Sequence, residues 1–226
     1  MNTKSDDCFN PKRDHAYFQE IWEYKQPNGF QHSVELWDKR ADVWAKELAH
    51  DGSFRQDVDD RVARVAAYLR GHGLLGPRSS VIDIGCGPGR FVVEFAKTAE
   101  RAQGLDLSPR MAEIAGEYAQ SVGVKNASFF FGDFKKMNVE EQGLKKQFDL
   151  VFTSITPAIS TVESLRKLME MSCGHCFNSC CIEWWDELEE KVAQQVFAQQ
   201  NKPRPYWGRR WFYSLFNFLW LEGYFP

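Results

Sequence analysis

An α/β fold, a mainly parallel sheet lying between two layers of helices, is predicted by three features of the sequence. Short runs rich in β-branched and aromatic residues alternate with runs whose apolar residues recur every three or four positions. Glycine, proline or a capping residue punctuates most of these changes. The 226 residues, 43% apolar and 15% aromatic, suffice for one domain with a sizeable core and an added cap.

Residues 1–30 read as a loop-rich arm punctuated by Pro11, Pro27 and Gly29. The arm carries Phe9, Tyr17, Phe18, Trp22, Tyr24 and Phe30, too many aromatics for a disordered tail, so a packed arm or lid is expected. "SVELWDKRADVWAKELA" predicts a helix with Ser33 as N-cap and Leu36, Trp37, Val43, Trp44 and Leu48 on its apolar side. "RQDVDDRVARVAAYLRGHG" predicts a second, with Val58, Val62, Val65 and Leu69 in step and Gly71 or Gly73 at its end.

Strands and helices then alternate. The strands are "SVIDIG" (80–85), "AQGLDLS" (102–108), "ASFFFGDF" (127–134), "FDLVFTSI" (148–155) and "FNSCCIEWW" (177–185). Between and after them fall the helices "GRFVVEFAKTAE", "PRMAEIAGEYAQSVG", "STVESLRKLMEMS" and "DELEEKVAQQVFAQQ", the second opened by Pro109. The loop 201–210 precedes a last apolar helix at about 211–222. This βαβ rhythm implies parallel strands with helices on both faces.

The stretch "VIDIGCGPGRF" ends the first strand in Gly85, Gly87 and Gly89 and then opens a helix. Such a turn offers backbone N–H groups to a ligand, although a glycine triplet alone also suits an empty tight turn. Asp83 beside the turn favours a positively charged ligand over a pyrophosphate. Asp106, ending the second strand, can accept two ribose hydroxyls, a role shared with NAD sites. Asp133, ending the third, can meet an adenine amino group with Phe134 on the ring. Each aspartate alone also suits a strand-end cap. Together they fall at three successive strand C-termini, where open α/β sheets bind ligands.

"VIDIGCGPGRF", "GLDLSPRM", "FFFGDF" and "FDLVFTSI" together resemble the successive motifs of class I S-adenosylmethionine-dependent methyltransferases, over residues 56–186. The resemblance implies a three-layer Rossmann-like sandwich and S-adenosylmethionine as cofactor. It implies that Asp83, Gly85, Cys86, Gly87 and Gly89 form the methionine and ribose turn, Cys86 as a small filler. It further implies that Asp106 takes the ribose, Leu107 and Met111 line the adenine, Asp133 and Phe134 complete that end, and Thr153 and Ser154 face the transferable methyl. The expected organisation is an N-terminal arm and cap helix (1–55), the cofactor-binding core (56–200) and a C-terminal loop and helix (201–226). The family's last two strands, one antiparallel, have no counterpart after that helix. Either the sequence stops short of them or the fold is shortened, and the open sheet edge favours pairing or self-association.

Methyl transfer is an in-line displacement in which the cofactor carries the activation, so the protein chiefly aligns and dehydrates. Strands four and five end in "TSITPA" and "EWWD", making Thr156, Glu183 and Asp186 the candidates for catalysis and Trp184 and Trp185 for acceptor walls. Asp186 equally suits an N-cap, with Glu189 completing a capping box. Trp37, Arg40 and Trp44 resemble the segment that roofs the site in small-molecule members. Arg40 either pairs the methionine carboxylate or is a solvated surface arginine. The Asn/Asp-Pro-Pro-aromatic run of DNA-adenine and protein-glutamine enzymes is absent, which counts against those two acceptors, and the resemblance of the roofing segment implies a small-molecule acceptor. An NAD-linked oxidoreductase is the competing enzyme reading. A non-catalytic module binding S-adenosylmethionine or a metal is the third.

The net charge of −3 lacks the basic excess of a dedicated nucleic-acid binder. No signal peptide or membrane span is read, which predicts a cytoplasmic protein with reduced cysteines. Cys173, Cys176, Cys180 and Cys181 contain a Cys-x-x-Cys spacing, but strand positions favour core filling, and no metal site is expected.

Overall fold

A computed structural model describes residues 10–23, 33–49, 53–181, 187–196 and 207–226. The chain divides into two compact units, Asn28–Ser179 and Met1–Pro27 with Cys180–Pro226. In chain order the elements are α1 (Pro11–Glu23), α2 (Val34–Ala49), α3 (Ser53–Gly71), β1 (Ser80–Ile84), α4 (Arg90–Ala96), β2 (Arg101–Asp106) and α5 (Pro109–Ser121). They continue as β3 (Ala127–Phe131), β4 (Phe148–Ser154), α6 (Val162–Met171), β5 (Ser172–Ser179), α7 (Glu187–Gln195) and α8 (Trp207–Leu221).

In the larger unit the five strands form one sheet in the order β3-β2-β1-β4-β5, every neighbouring pair parallel. The expected three-layer Rossmann-like α/β class is therefore the observed one. β1 is central, and the strand order reverses beside it: β2 and β3 lie on one side, β4 and β5 on the other. The C-terminal end of such a strand is the topological switch point where open sheets place ligands. Asp83 pairs in register with Gly104 on one side and Phe152 on the other.

The core beneath this point is aromatic. Phe91 and Phe95 of α4 meet Phe152 of β4 at centroid distances of 4.7 and 4.9 Å, and Phe152 stacks on Phe177 at 5.1 Å. Val62, Ala66 and Leu69 of α3 bury against the same cluster. Gly73, at φ +70°, ends α3: its N–H reaches the carbonyl of Arg70, and that of Leu74 reaches Leu69. That is a Schellman close, which the left-handed residue makes possible. Ser108 caps α5 by accepting the Met111 N–H ahead of Pro109, and Thr161 and Ser164 form a reciprocal capping box on α6.

Three expectations are corrected. Pro11 does not mark a loop; it is the first residue of α1, which Asn10 caps through the Arg13 N–H at 3.1 Å. Within the smaller unit, His15, Phe18 and Trp22, spaced by three and four, meet Phe218, Tyr213 and Trp211 of α8. α8 itself begins at Trp207, inside the expected loop. Strand five is Ser172–Ser179 rather than 177–185 and follows α6 without a loop. Gly174 lies at a register shift against Phe148 and Leu150, where a Cβ would come within 2.6 Å of the Asp149 carbonyl oxygen. Cys180 and Cys181 thus follow the strand. It is Cys173 and Cys176 that lie within it, Cys173 Sγ 3.2 Å from the Phe148 carbonyl oxygen and Cys176 Sγ 3.9 Å from that of Leu168. Among the described residues no helix is long and apolar enough to cross a membrane.

Candidate active site

A cleft of about 790 Å³, its open mouth included, lies over the C-terminal end of the central strands. Its floor is the glycine turn. Gly85, Gly87 and Gly89 all have positive φ (+76°, +52° and +79°), a conformation strained for residues with a Cβ. Their roles differ. A Cβ on Gly85 would come within 2.8 Å of Thr156 Cβ, and one on Gly87 would stand 3.0 Å from the Trp44 ring, so these two keep the cleft floor bare. A Cβ on Gly89 would press on Ala115 and Phe129 at 2.8 Å, so this glycine lets α4 close on α5 and β3.

Asp106 ties the floor to the next strand. Its Oδ2 accepts the Gly87 N–H at 2.8 Å and its Oδ1 the Ser108 N–H at 2.9 Å. Burial raises its pKa, the Ser108, Gly87 and Leu107 N–H groups work against that, and the charge of Asp38 adds to it. Asp83 is 2% exposed, and its Oδ1 has no hydrogen-bond partner among the described residues. Burial, then the charge of Asp106, push its pKa well above the usual carboxylate range.

The walls come from four directions. Leu107 and Met111 follow β2; Gly132, Asp133, Phe134 and Lys135 follow β3; Ile155, Thr156, Pro157 and Ala158 follow β4; Trp37 and Trp44 descend from α2. α2 is seated on α5: Ala41 buries with Met111 and Ile114, Ser108 Oγ hydrogen-bonds Asp38, and Arg110 pairs with Asp42 at 3.3 Å. After β4, Ile155 adopts φ +50°, an uncommon conformation for a β-branched residue. Thr156 then closes a small turn by accepting the Ala158 N–H at 3.2 Å.

Of the residues singled out in the sequence, Gly85, Gly87, Asp106, Leu107, Met111, Asp133, Phe134, Thr156, Trp37 and Trp44 meet in this cleft. Others lie elsewhere. Thr153 is fully buried in the sheet, and Ser154 accepts from Ser179 at 2.8 Å; the cleft wall starts one residue later, at Ile155. Cys86 packs in the core beside Gly104, where burial first and the nearby aspartates second raise its thiol pKa. Arg40 holds its guanidinium over the Trp37 ring at 5.1 Å, outside the cleft lining. Glu183, Trp184, Trp185 and Asp186 lie outside the described residues. Sequence reasoning missed Ile84, Leu105, Gly132, Lys135, Ile155, Pro157 and Ala158 as lining residues. "TPA" stands directly after a predicted strand end, the one signal that could have found it, whereas Gly132 falls inside the expected third strand, which in the structure ends at Phe131. Among the described residues no group of three or more His, Cys, Asp or Glu could hold a metal ion.

A glycine turn at the switch point, flanked by carboxylates from adjacent strand ends, defines a Rossmann-like ligand-binding domain. A model of the methyltransferase domain matches residues 75–212, and the chain belongs to that family. It is 28% identical over 123 residues to a sterol 24-C-methyltransferase of Gibberella zeae, covering 52% of this chain and 32% of that protein. It is 29% identical over 138 residues to human EEF1A lysine methyltransferase 2, covering 56% and 58%. The chain thus spans less than two thirds of the length of these relatives. A solved S-adenosylmethionine-dependent methyltransferase of Aquifex aeolicus shares the fold with a TM-score of 0.51 at 16% identity, over 78% of this chain and 85% of that one.

Proposed function

We propose that the protein uses S-adenosylmethionine to methylate a small-molecule acceptor. The observation that carries this reading is the glycine floor held by Asp106 beside a buried Asp83 whose Oδ1 lacks a donor among the described residues. The cleft fits the cofactor on two counts. A side chain at Gly85 or Gly87 would occupy its floor, and the buried carboxylate of Asp83 suits an ammonium group better than a pyrophosphate.

When bound, the cofactor supplies a methyl group already activated by its sulfonium. The chain supplies binding, orientation and a dry enclosure. In this reading Asp106 holds the ribose, Phe134 and Met111 flank the adenine with Asp133 at its edge, and Gly85 and Gly87 let the backbone approach the ligand. Trp37, Trp44, Ile155 and Thr156 surround the acceptor. The aromatic and aliphatic character of these walls favours a compact organic acceptor over a polyanion such as RNA.

Titration calorimetry with S-adenosylhomocysteine and with NAD tests the cofactor. Binding of the first and not the second is expected; the reverse overturns the reading in favour of an oxidoreductase. Transfer of labelled methyl is then assayed on small molecules, a protein-lysine substrate and ribosomal RNA. Labelling confined to either macromolecule overturns the acceptor class. Cofactor binding without transfer to any acceptor favours a non-catalytic module.

A further inference from the structure

Lys167 of α6 carries a charge that stays mostly out of water. Its side chain is 13% exposed, and its Nζ donates to the carbonyl oxygens of Phe134 at 3.2 Å and Lys135 at 2.8 Å. The same ammonium stands 5.8 Å from the centre of the Phe134 ring. Its nearest carboxylate among the described residues, Glu163 Oε1, is 3.9 Å away on an 82% exposed side chain, too solvated to be the main partner. Desolvating a lysine is costly, and here two carbonyl dipoles and an aromatic face offset that cost.

What Lys167 holds is a segment of the cleft wall. Asp133, Phe134 and Lys135 all line the cleft, beyond the end of β3 and without regular structure. The Gly132 N–H is fixed to the Asp106 carbonyl at 2.8 Å, and the Asp133 carboxylate accepts the Lys135 N–H at 3.1 Å. These bonds fix the start of the segment. Lys167 reaches it from another element and fixes the carbonyls of the two residues that follow.

We propose that Lys167 is a positioning residue that sets Phe134 against the face of the bound base and, through Lys135, the Asp133 carboxylate at its edge, and so contributes to selectivity for adenine. The proposal rests on the reading of the cleft as a site for S-adenosylmethionine. Lys167 acts through Phe134 and the backbone and does not touch the ligand.

The test compares wild type, Lys167→Met and Lys167→Arg for binding of S-adenosylhomocysteine and of its inosine counterpart, in which an oxo group replaces the adenine amino group. Lys167→Met is expected to weaken S-adenosylhomocysteine binding about tenfold, the scale of one charge-assisted hydrogen bond. It is also expected to narrow the preference over the inosine analogue. Lys167→Arg, which keeps N–H donors and charge, is expected to recover most of both. If Lys167→Met does not fold, Lys167→Gln carries the same comparison. A folded variant without the charge that keeps wild-type affinity and preference overturns the proposal, whatever its melting temperature. Wild-type protein that binds neither compound overturns the reading of the cleft itself.

Discussion

The carboxylate of Asp106 accepts the Gly87 N–H at 2.8 Å, so the end of β2 holds the middle of the glycine turn that ends β1. The bond joins the residue proposed to hold the ribose to the backbone proposed to lie under it. Loss of either partner should therefore be felt by both.

Asp106→Ala is expected to weaken S-adenosylhomocysteine binding by about a hundredfold, the scale of two charge-assisted hydrogen bonds. Gly87→Val should abolish binding, because a Cβ there faces Trp44 at 3.0 Å and the backbone is left-handed. Calorimetry reads the affinity, and circular dichroism checks that both variants remain folded. Unchanged affinity in either contradicts the assignment.

Gly85→Ala should destabilise the protein by more than the roughly 1–2 kcal/mol of a left-handed alanine, since its Cβ also meets Thr156. Adding Thr156→Ala should return part of the loss by removing the hydroxyl and methyl. Denaturant unfolding of the two singles and the double measures the coupling; strict additivity would mean that the two residues do not touch.

Asp83 is a carboxylate whose folded pKa is raised, so its contribution runs opposite to that of a salt-bridged aspartate. The contribution is full below the unfolded value of about 3.9 and declines as pH rises towards the folded value. The stability of wild type minus that of Asp83→Asn should therefore fall with rising pH above about 4, in thermal melts without ligand. Saturating S-adenosylhomocysteine, whose ammonium would accompany the charge, should shrink the fall. A difference independent of pH in the free protein would show that Asp83 keeps an ordinary pKa.

Asp38→Ala removes the acceptor of the Ser108 hydroxyl, which itself caps α5. A loss of about 1–2 kcal/mol is expected, with Asp38→Asn, which retains an acceptor, losing less. Quenching of tryptophan fluorescence should rise in Asp38→Ala if Trp37 and Trp44 lose their seat over the cleft. An unaltered melt and quenching profile would show that the Asp38 bond does not hold α2.

The parts of the site legible in the sequence are those that local rules encode. Three glycines at alternate positions, a strand before them and a helix after them need no distant partner to be recognised. Asp106 and Asp133 were found because strand ends are local events and parallel topology brings them to one edge. The reading failed where a boundary depends on pairing. Thr153 and Ser154 were expected at the cleft, but β4 stays paired with β5 as far as Ser154. The chain leaves the sheet only at Ile155, through a left-handed turn that a β-branched residue does not advertise. Strand five begins five residues earlier than expected, and Gly174 in its first half makes a close approach to Asp149 that no local rule specifies.

By itself the sequence determined the sheet class, the switch-point turn and the carboxylates around it, because periodicity and backbone conformational preference act over a few residues. Only the tertiary structure decided what stands over that turn. Asp38 with Ser108, Trp44 over Gly87, Thr156 against Gly85 and Lys167 behind Phe134 are each pairs far apart in the chain. Their contacts exist only once the strands have paired and the helices have docked on the sheet, and no spacing within a helix or strand specifies them.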